Sequence, residues 1–254
     1  MMRALTSRTF GRVTALALVL ALAACGKDDA AKPGAESAAA DAPATPAPAG
    51  QSWQTVFAAT PEGGFRIGNP DAKVKLVEFA SLTCPHCKDF HAEAAETIRN
   101  KYVASGNVSF EYRNFVLNGP DYAVTMLARC QGPEAFFGLL DAFYADQTVW
   151  LEPFTKMTPA DQARLQALPQ DKQIAALAEM GQLDAYVRAR GIPRAKFDQC
   201  LADPAALKQI EALRKQATDT YKLTGTPGFI INGQTQDGVF TWADLEPKLK
   251  AALR

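Results

Sequence analysis

The stretch "SLTCPHCKDFH", residues 81–91, places Cys84 and Cys87 two residues apart, with Pro85 and His86 between them. The chain has 254 residues, five cysteines and two histidines, so this window holds two of the former and both of the latter. Upstream, "KVKLVEFAS" contains a run from Val74 to Ala80 that is apolar but for Lys75 and Glu78, and it reads as a strand. Downstream, residues 85–103 are helical in composition. After them "NVSFEYRNFVL", 107–117, is rich in β-branched and aromatic residues and reads as a second strand. The three elements make a β-α-β unit with the cysteine pair at its strand-to-helix junction. On the first turn of a helix, residues three apart have Cα atoms about 5–6 Å apart, within reach of a reversible disulfide. Pro85 suits that turn, where its missing N–H would have had no partner. Cys84 then faces unpaired amide donors and the positive end of the helix dipole, and both favour thiolate over thiol. His86, when protonated, adds a positive charge, and Cys87 turns back toward the body of the fold.

The compartment decides how these thiols behave. The N-terminus, "MMRALTSRTFGRVTALALVLALAACGKDD", has Arg3, Arg8 and Arg12 and no acid before Asp28. The apolar run from Val13 to Ala24 is shorter than the roughly 20 residues a spanning helix needs and fits the core of a secretory signal. "LAAC", 22–25, resembles a bacterial lipobox, which implies cleavage before Cys25 and its acylation. The other reading is an ordinary signal cut at "ALAA" with an incidental Cys25. Losing residues 1–24 removes three of 27 basic residues, leaving 24 against 27 acidic ones, or about −3. That balance offers no basic surface for nucleic acid. Residues 25–50 are rich in Ala, Pro and Asp, with no aromatic or branched aliphatic residue, and read as a disordered tether. Outside the cytosol cysteines persist as disulfides or redox centres. With Cys25 lipidated, Cys84 and Cys87 pair by proximity and Cys130 and Cys200 are left for each other. Closing that loop is worth about 4 kcal/mol in the chain-entropy model. Two buried free thiols are the alternative.

Residues 120–220 change to helical periodicity, punctuated by "GP", "LEP", "LPQ" and "GIP". Strand character returns in "GFIINGQTQDGVF", where Asn232-Gly233 signals a hairpin. "TWADLEPKLKAALR" reads as a final amphipathic helix capped by Thr241, with Pro247 leaving its first turn open. The expected fold class is therefore α/β. A signal segment spans 1–24, a lipidated tether 25–50 and the folded body 51–254. A helical insertion of about 120–222 separates its β-α-β and β-β-α halves.

"CPHC" opening a helix after an apolar strand, a helical insertion, and then "TGTPGF", 224–229, before a hairpin resemble the DsbA-like thiol:disulfide oxidoreductases over residues 63–254. These are thioredoxin-fold proteins of the bacterial periplasm. The resemblance implies that Cys84 is the nucleophilic, substrate-bonded cysteine and Cys87 its resolving partner. It implies a cis peptide at Thr226-Pro227, with the Thr226 backbone pairing with bound substrate. Glu78 falls where such proteins carry a buried acid that passes protons to Cys87; the bland alternative is a solvent-facing carboxylate on an edge strand. The activity implied is dithiol oxidation of exported proteins with free thiols, without cofactor or metal. Reoxidation would come from a quinone-linked DsbB-type membrane protein, and the lipid would hold a monomer near it. A helix-opening thiol of this kind titrating at about 3.5 would be worth roughly 4.8 kcal/mol at neutral pH, or about 100 mV. The rivals are a disulfide reductase or isomerase and, in another class, a peptide-binding chaperone with a structural disulfide. C-x-x-C is also half a zinc site, but no second closely spaced pair completes it. His91 reads as a surface or packing histidine. Leu82, Phe90 and Phe229 read equally as an apolar groove or as core.

Overall fold

Six strands order the body around the junction described above. They are β1 (Phe57–Ala59), β2 (Phe65–Ile67), β3 (Val74–Ala80), β4 (Val108–Asn114), β5 (Gly228–Ile231) and β6 (Gln234–Thr235), lying side by side as β1-β2-β4-β3-β5-β6. β3 and β4 are parallel, joined through α1 (Pro85–Thr97) and a π-helical continuation over Ile98–Val103. The other pairings are antiparallel. The β5–β6 hairpin turns on Asn232 and Gly233, whose φ angles of 49° and 81° are the left-handed values a two-residue hairpin requires. β3 is internal, with β4 on one side and β5 on the other. This excludes the edge-strand reading of Glu78, whose cross-strand neighbours are Tyr112 and Phe229.

The computed structural model describes residues 44–254, which lie in one unit, Ala39–Arg254. The signal segment, Cys25 and the tether up to residue 43 lie outside the described residues. The last part of the expected tether is tied down. The Thr45 N–H donates to the Ser105 carbonyl at 2.8 Å, and Trp53 Nε1–H donates to the Thr45 carbonyl at 2.7 Å. A buried indole needs an acceptor, and supplying it extends the body back to Thr45, ahead of residue 51.

The insertion comprises α2 (Gly119–Arg129), α3 (Pro133–Ala145), α4 (Gln147–Thr155), α5 (Pro159–Gln166), α6 (Gln170–Met180), α7 (Leu183–Arg188), α8 (Arg194–Leu201) and α9 (Pro204–Lys215). The C-terminal helix is α10 (Trp242–Leu253), with the Thr241 side chain accepting from the Asp244 N–H as its cap. The prolines act differently from one another. Pro169 and Pro193 are the N-caps of α6 and α8, whereas Pro153 and Pro247 lie inside α4 and α10. Val74, Leu76 and Ala80 enter the larger core with α1 and the insertion, while Val77 and Phe79 pack on the opposite face with Phe115, Ala217 and Ile230. Leu82, Phe90 and Phe229 are all buried, so they are core and not groove. Cys130 and Cys200 are bonded, with Cα atoms 5.6 Å apart, pinning α2 to α8. Among the described residues no helix is long and apolar enough to cross a membrane.

Candidate active site

Cys84 is the N-cap of α1, with extended backbone (φ −79°, ψ 123°), and Pro85 begins the helix. Both thiols of the pair are free in this structure. Cys84 is 6% exposed and Cys87 is 0% exposed, so an incoming group can reach only the first. The Thr226–Pro227 peptide is cis. It brings the Thr226 carbonyl against Cys84, whose thiol donates to it at 3.4 Å. The Thr226 hydroxyl is buried and has no other partner, which leaves it able to turn toward the same sulfur once that sulfur is charged.

The electrostatics separate the two sulfurs. A hydrogen bond from the Cys87 thiol is the main reason Cys84 is lowered to about 5. Burial opposes this, and the Thr226 side chain and the backbone N–H groups of Cys87 and His86 assist it. The thiol-to-carbonyl bond and the hydroxyl-to-thiolate bond belong to different protonation states of Cys84, and only the second favours charge. The imidazole of His86 is exposed, so among these interactions His86 contributes through its backbone. Cys87 is pushed well above an ordinary thiol by burial, then by its bond to Cys84 and by the charges of Cys84 and Glu78.

Glu78 is 2% exposed, and its Oε1 has no hydrogen-bond partner. Burial, and then the negative charge of Cys84, raise its carboxyl to about 8. A carboxylic acid that keeps its proton at neutral pH can donate it to a departing thiolate. The structure thus brings Cys84, Cys87, Thr226, Pro227 and Glu78 into one site. Cys130 and Cys200 lie apart from it as a helix-to-helix bridge.

Several supporting residues were not visible in the sequence. Asp121, in the first turn of α2, accepts hydrogen bonds from the Ser81 hydroxyl and from the N–H groups of Leu82 and Leu117, and so fixes the turn before Cys84. Burial raises Asp121 to about 6 despite these bonds. Gln147, opening α4, donates from Nε2 to the carbonyls of Leu82 (2.8 Å) and Cys84 (2.9 Å). The Tyr112 and Tyr144 hydroxyls bond to each other at 2.7 Å, and Tyr144 also donates to the Ser81 carbonyl. Burial raises both phenols well above their ordinary value. His91 sits at the α1–α3 seam, 2.9 Å from Asp141 Oδ1, with its ring centroid 4.8 Å from that of Tyr144.

A family model described as Thioredoxin matches residues 60–251. A crystal structure of a protein-disulfide isomerase from Novosphingobium aromaticivorans is 35% identical, covers 74% of this chain and 96% of its own, and superposes with a TM-score of 0.71. Wolbachia pipientis alpha-DsbA1 is 21% identical, with a TM-score of 0.60 over 80% of this chain and 96% of its own, and shares the fold. A Rickettsia bellii protein provisionally named a protein-disulfide oxidoreductase is 27% identical over 177 residues, 69% of this chain and 60% of that protein. The chain therefore spans about 60% of the length of that curated relative, and 59% of the corresponding Rickettsia felis protein.

Proposed function

Because the chain belongs to the thioredoxin family, among its DsbA-like protein-disulfide oxidoreductases, we propose that it acts as a dithiol oxidase, handing its Cys84–Cys87 disulfide to exported proteins. One observation carries this reading: Cys84 caps α1 with the Cys87 thiol and the backbone N–H groups of His86 and Cys87 acting on its sulfur, which lowers it to about 5. At neutral pH a Cys84 thiolate held there favours the reduced pair, which makes the disulfide an oxidant of its client. A client thiolate attacks Cys84 Sγ, the Cys84–Cys87 bond breaks, and Cys87 leaves with the electron pair and takes a proton from Glu78. A second client thiolate then attacks the client sulfur of the mixed disulfide and releases Cys84 as thiolate.

The Thr226 backbone beside Cys84 is suited to pairing with an extended client. Exposed Leu117, next to the Asn118 that bonds Thr83, and exposed Val149, two residues past Gln147, add apolar surface near the site. The same reading includes export to the periplasm, lipid attachment at Cys25, a monomer, and reoxidation by a quinone-linked DsbB-type membrane protein. The isomerase name of the Novosphingobium structure favours one alternative, a protein kept reduced that reshuffles wrong disulfides.

Equilibration with glutathione, together with transfer to a reduced test protein, separates these. The oxidase reading expects a potential well above the roughly −270 mV of a thioredoxin-type reductant, and net disulfide formation in the test protein. It also expects Cys87→Ser to accumulate mixed disulfides through Cys84. Repair of scrambled disulfides without net oxidation supports the isomerase instead, and a potential near the reductant value a reductase. A peptide-binding chaperone would trap nothing.

A further inference from the structure

Each client oxidised takes a proton from Glu78, and a fully buried carboxylate has to recover that proton from water. Toward the cysteines the way is closed, since Cys87 and the flanking Tyr112 and Phe229 are buried without exposure. In the seam between α1 and α3 there is instead a cavity of about 10 Å³, close to the space one water needs. Its lining holds Glu78, whose Oε1 lacks a partner, together with His91 of α1 and Arg99 of its π-helical continuation; the other walls are apolar. His91 Nε2 lies 2.9 Å from Asp141 Oδ1, and Arg99 donates to both Asp141 oxygens at 3.0 and 3.1 Å. Burial would raise Asp141, but the bonds from His91 and Arg99 outweigh it and hold it below its ordinary value. The His91 side chain is 14% exposed and that of Asp141 39% exposed, so this cluster touches both the cavity and the solvent.

We propose that His91, oriented by Asp141, is the solvent-side end of a proton path that recharges Glu78 through one water in this cavity. The inference rests on the exchange reading above. When Cys84 is attacked, the electron pair of the broken S–S bond goes to Cys87 Sγ and the Glu78 proton follows it. The carboxylate takes a proton from the water, the water takes one from the His91 imidazolium, and the imidazole regains one from solvent. On reoxidation Glu78 first sends its proton out along the same path, and the carboxylate then takes the proton of the Cys87 thiol. The Cys87 sulfur attacks Cys84 Sγ of the mixed disulfide, and the electron pair of the broken bond leaves with the incoming partner's sulfur. Imidazole suits this role because, as a side-chain class, it gains and loses protons in the physiological range. The other titratable groups facing Glu78 are Cys84 and Cys87 from α1, Tyr112 from β4 and Tyr144 from α3. The two phenols are raised well above their ordinary value by burial and keep their protons at neutral pH.

The test is steady-state turnover of the full chain, passing electrons from a small dithiol to an excess of a small disulfide, at concentrations where the rate has stopped rising, across pH and in heavy water. His91→Gln is expected to lower the plateau rate about tenfold near pH 7, with a larger solvent isotope effect and recovery on adding imidazole. The reduction potential and the Cys84 titration should stay as in the unsubstituted chain. Ala95→Leu fills the cavity without removing a titratable group, and should show the same slowing without imidazole rescue. Unchanged rates and pH profiles in both variants, while Glu78→Gln is slow, overturn the path and leave Glu78 as proton donor. A shifted potential in His91→Gln overturns it in favour of a packing role. An equally fast Glu78→Gln removes the donor itself, and the path with it.

Discussion

The two cysteine pairs of this chain place the same functional group at opposite ends of helices. Cys84 and Cys87 occupy the N-cap and first turn of α1, where amide donors and the positive dipole end meet a sulfur. Cys130 is the C-cap of α2 and Cys200 lies in the last turn of α8, where carbonyls and the negative end meet it. Reach does not distinguish the pairs. The Cα atoms of Cys130 and Cys200 are 5.6 Å apart, about the separation expected within one helical turn. The difference lies in how well each site supports a thiolate as leaving group: the first pair sits where a helix dipole favours charge on sulfur, and the second where it opposes it. A bridge 70 residues long in sequence then serves to close the insertion, while one three residues long serves to be exchanged.

The sharpest way to break this contrast is to remove each pair in turn. Cys84→Ser is expected to abolish disulfide transfer to a reduced test protein. Replacing both Cys130 and Cys200 by Ala should leave transfer and the Cys84 titration intact, and lower unfolding stability by about 4 kcal/mol in denaturant. Loss of transfer in the second variant would show that the pairs are not separable.

Glu78→Gln probes the next effect in size. The Glu78 carboxyl sits at about 8 in the fold against an ordinary 4.5, so its contribution is fully present below 4.5 and is lost as pH rises through 8. A neutral amide escapes that loss. The variant should be more stable than the parent by about 3 kcal/mol at pH 7, with the gap closing below pH 4.5, while transfer slows. Denaturant unfolding at the two pH values checks it, and an equal gap at both would contradict the buried-acid account. Smaller again is Gln147→Ala, which leaves the Leu82 and Cys84 carbonyls without their side-chain donor. A loss of about 1–3 kcal/mol is expected, with slower transfer because the Cys84 turn loosens.

Local chemistry was legible in the sequence. Cysteines bracketing Pro-His after an apolar strand, Asn232-Gly233 at a left-handed turn and Thr241 before a helix all act on immediate neighbours. The helical insertion was legible as periodicity, although Pro153 and Pro247 show that a proline inside a helix cannot be read as its end. Glu78 stayed ambiguous because a lone carboxylate in a strand looks the same at an edge as at the centre, and only the strand order decides it. Asp121 and Gln147 were illegible for a simpler reason. Their partners in the turn before Cys84 lie 40 and 65 residues away, so the helical pattern around each gives no hint of the bond it makes.

The contrast between the pairs comes down to the charge on one sulfur. The alkylation rate of Cys84 by iodoacetamide, followed across pH in the reduced protein, reads that charge directly. The account predicts half-maximal reactivity near pH 5. A midpoint in the ordinary thiol range of about 8.5 would contradict it.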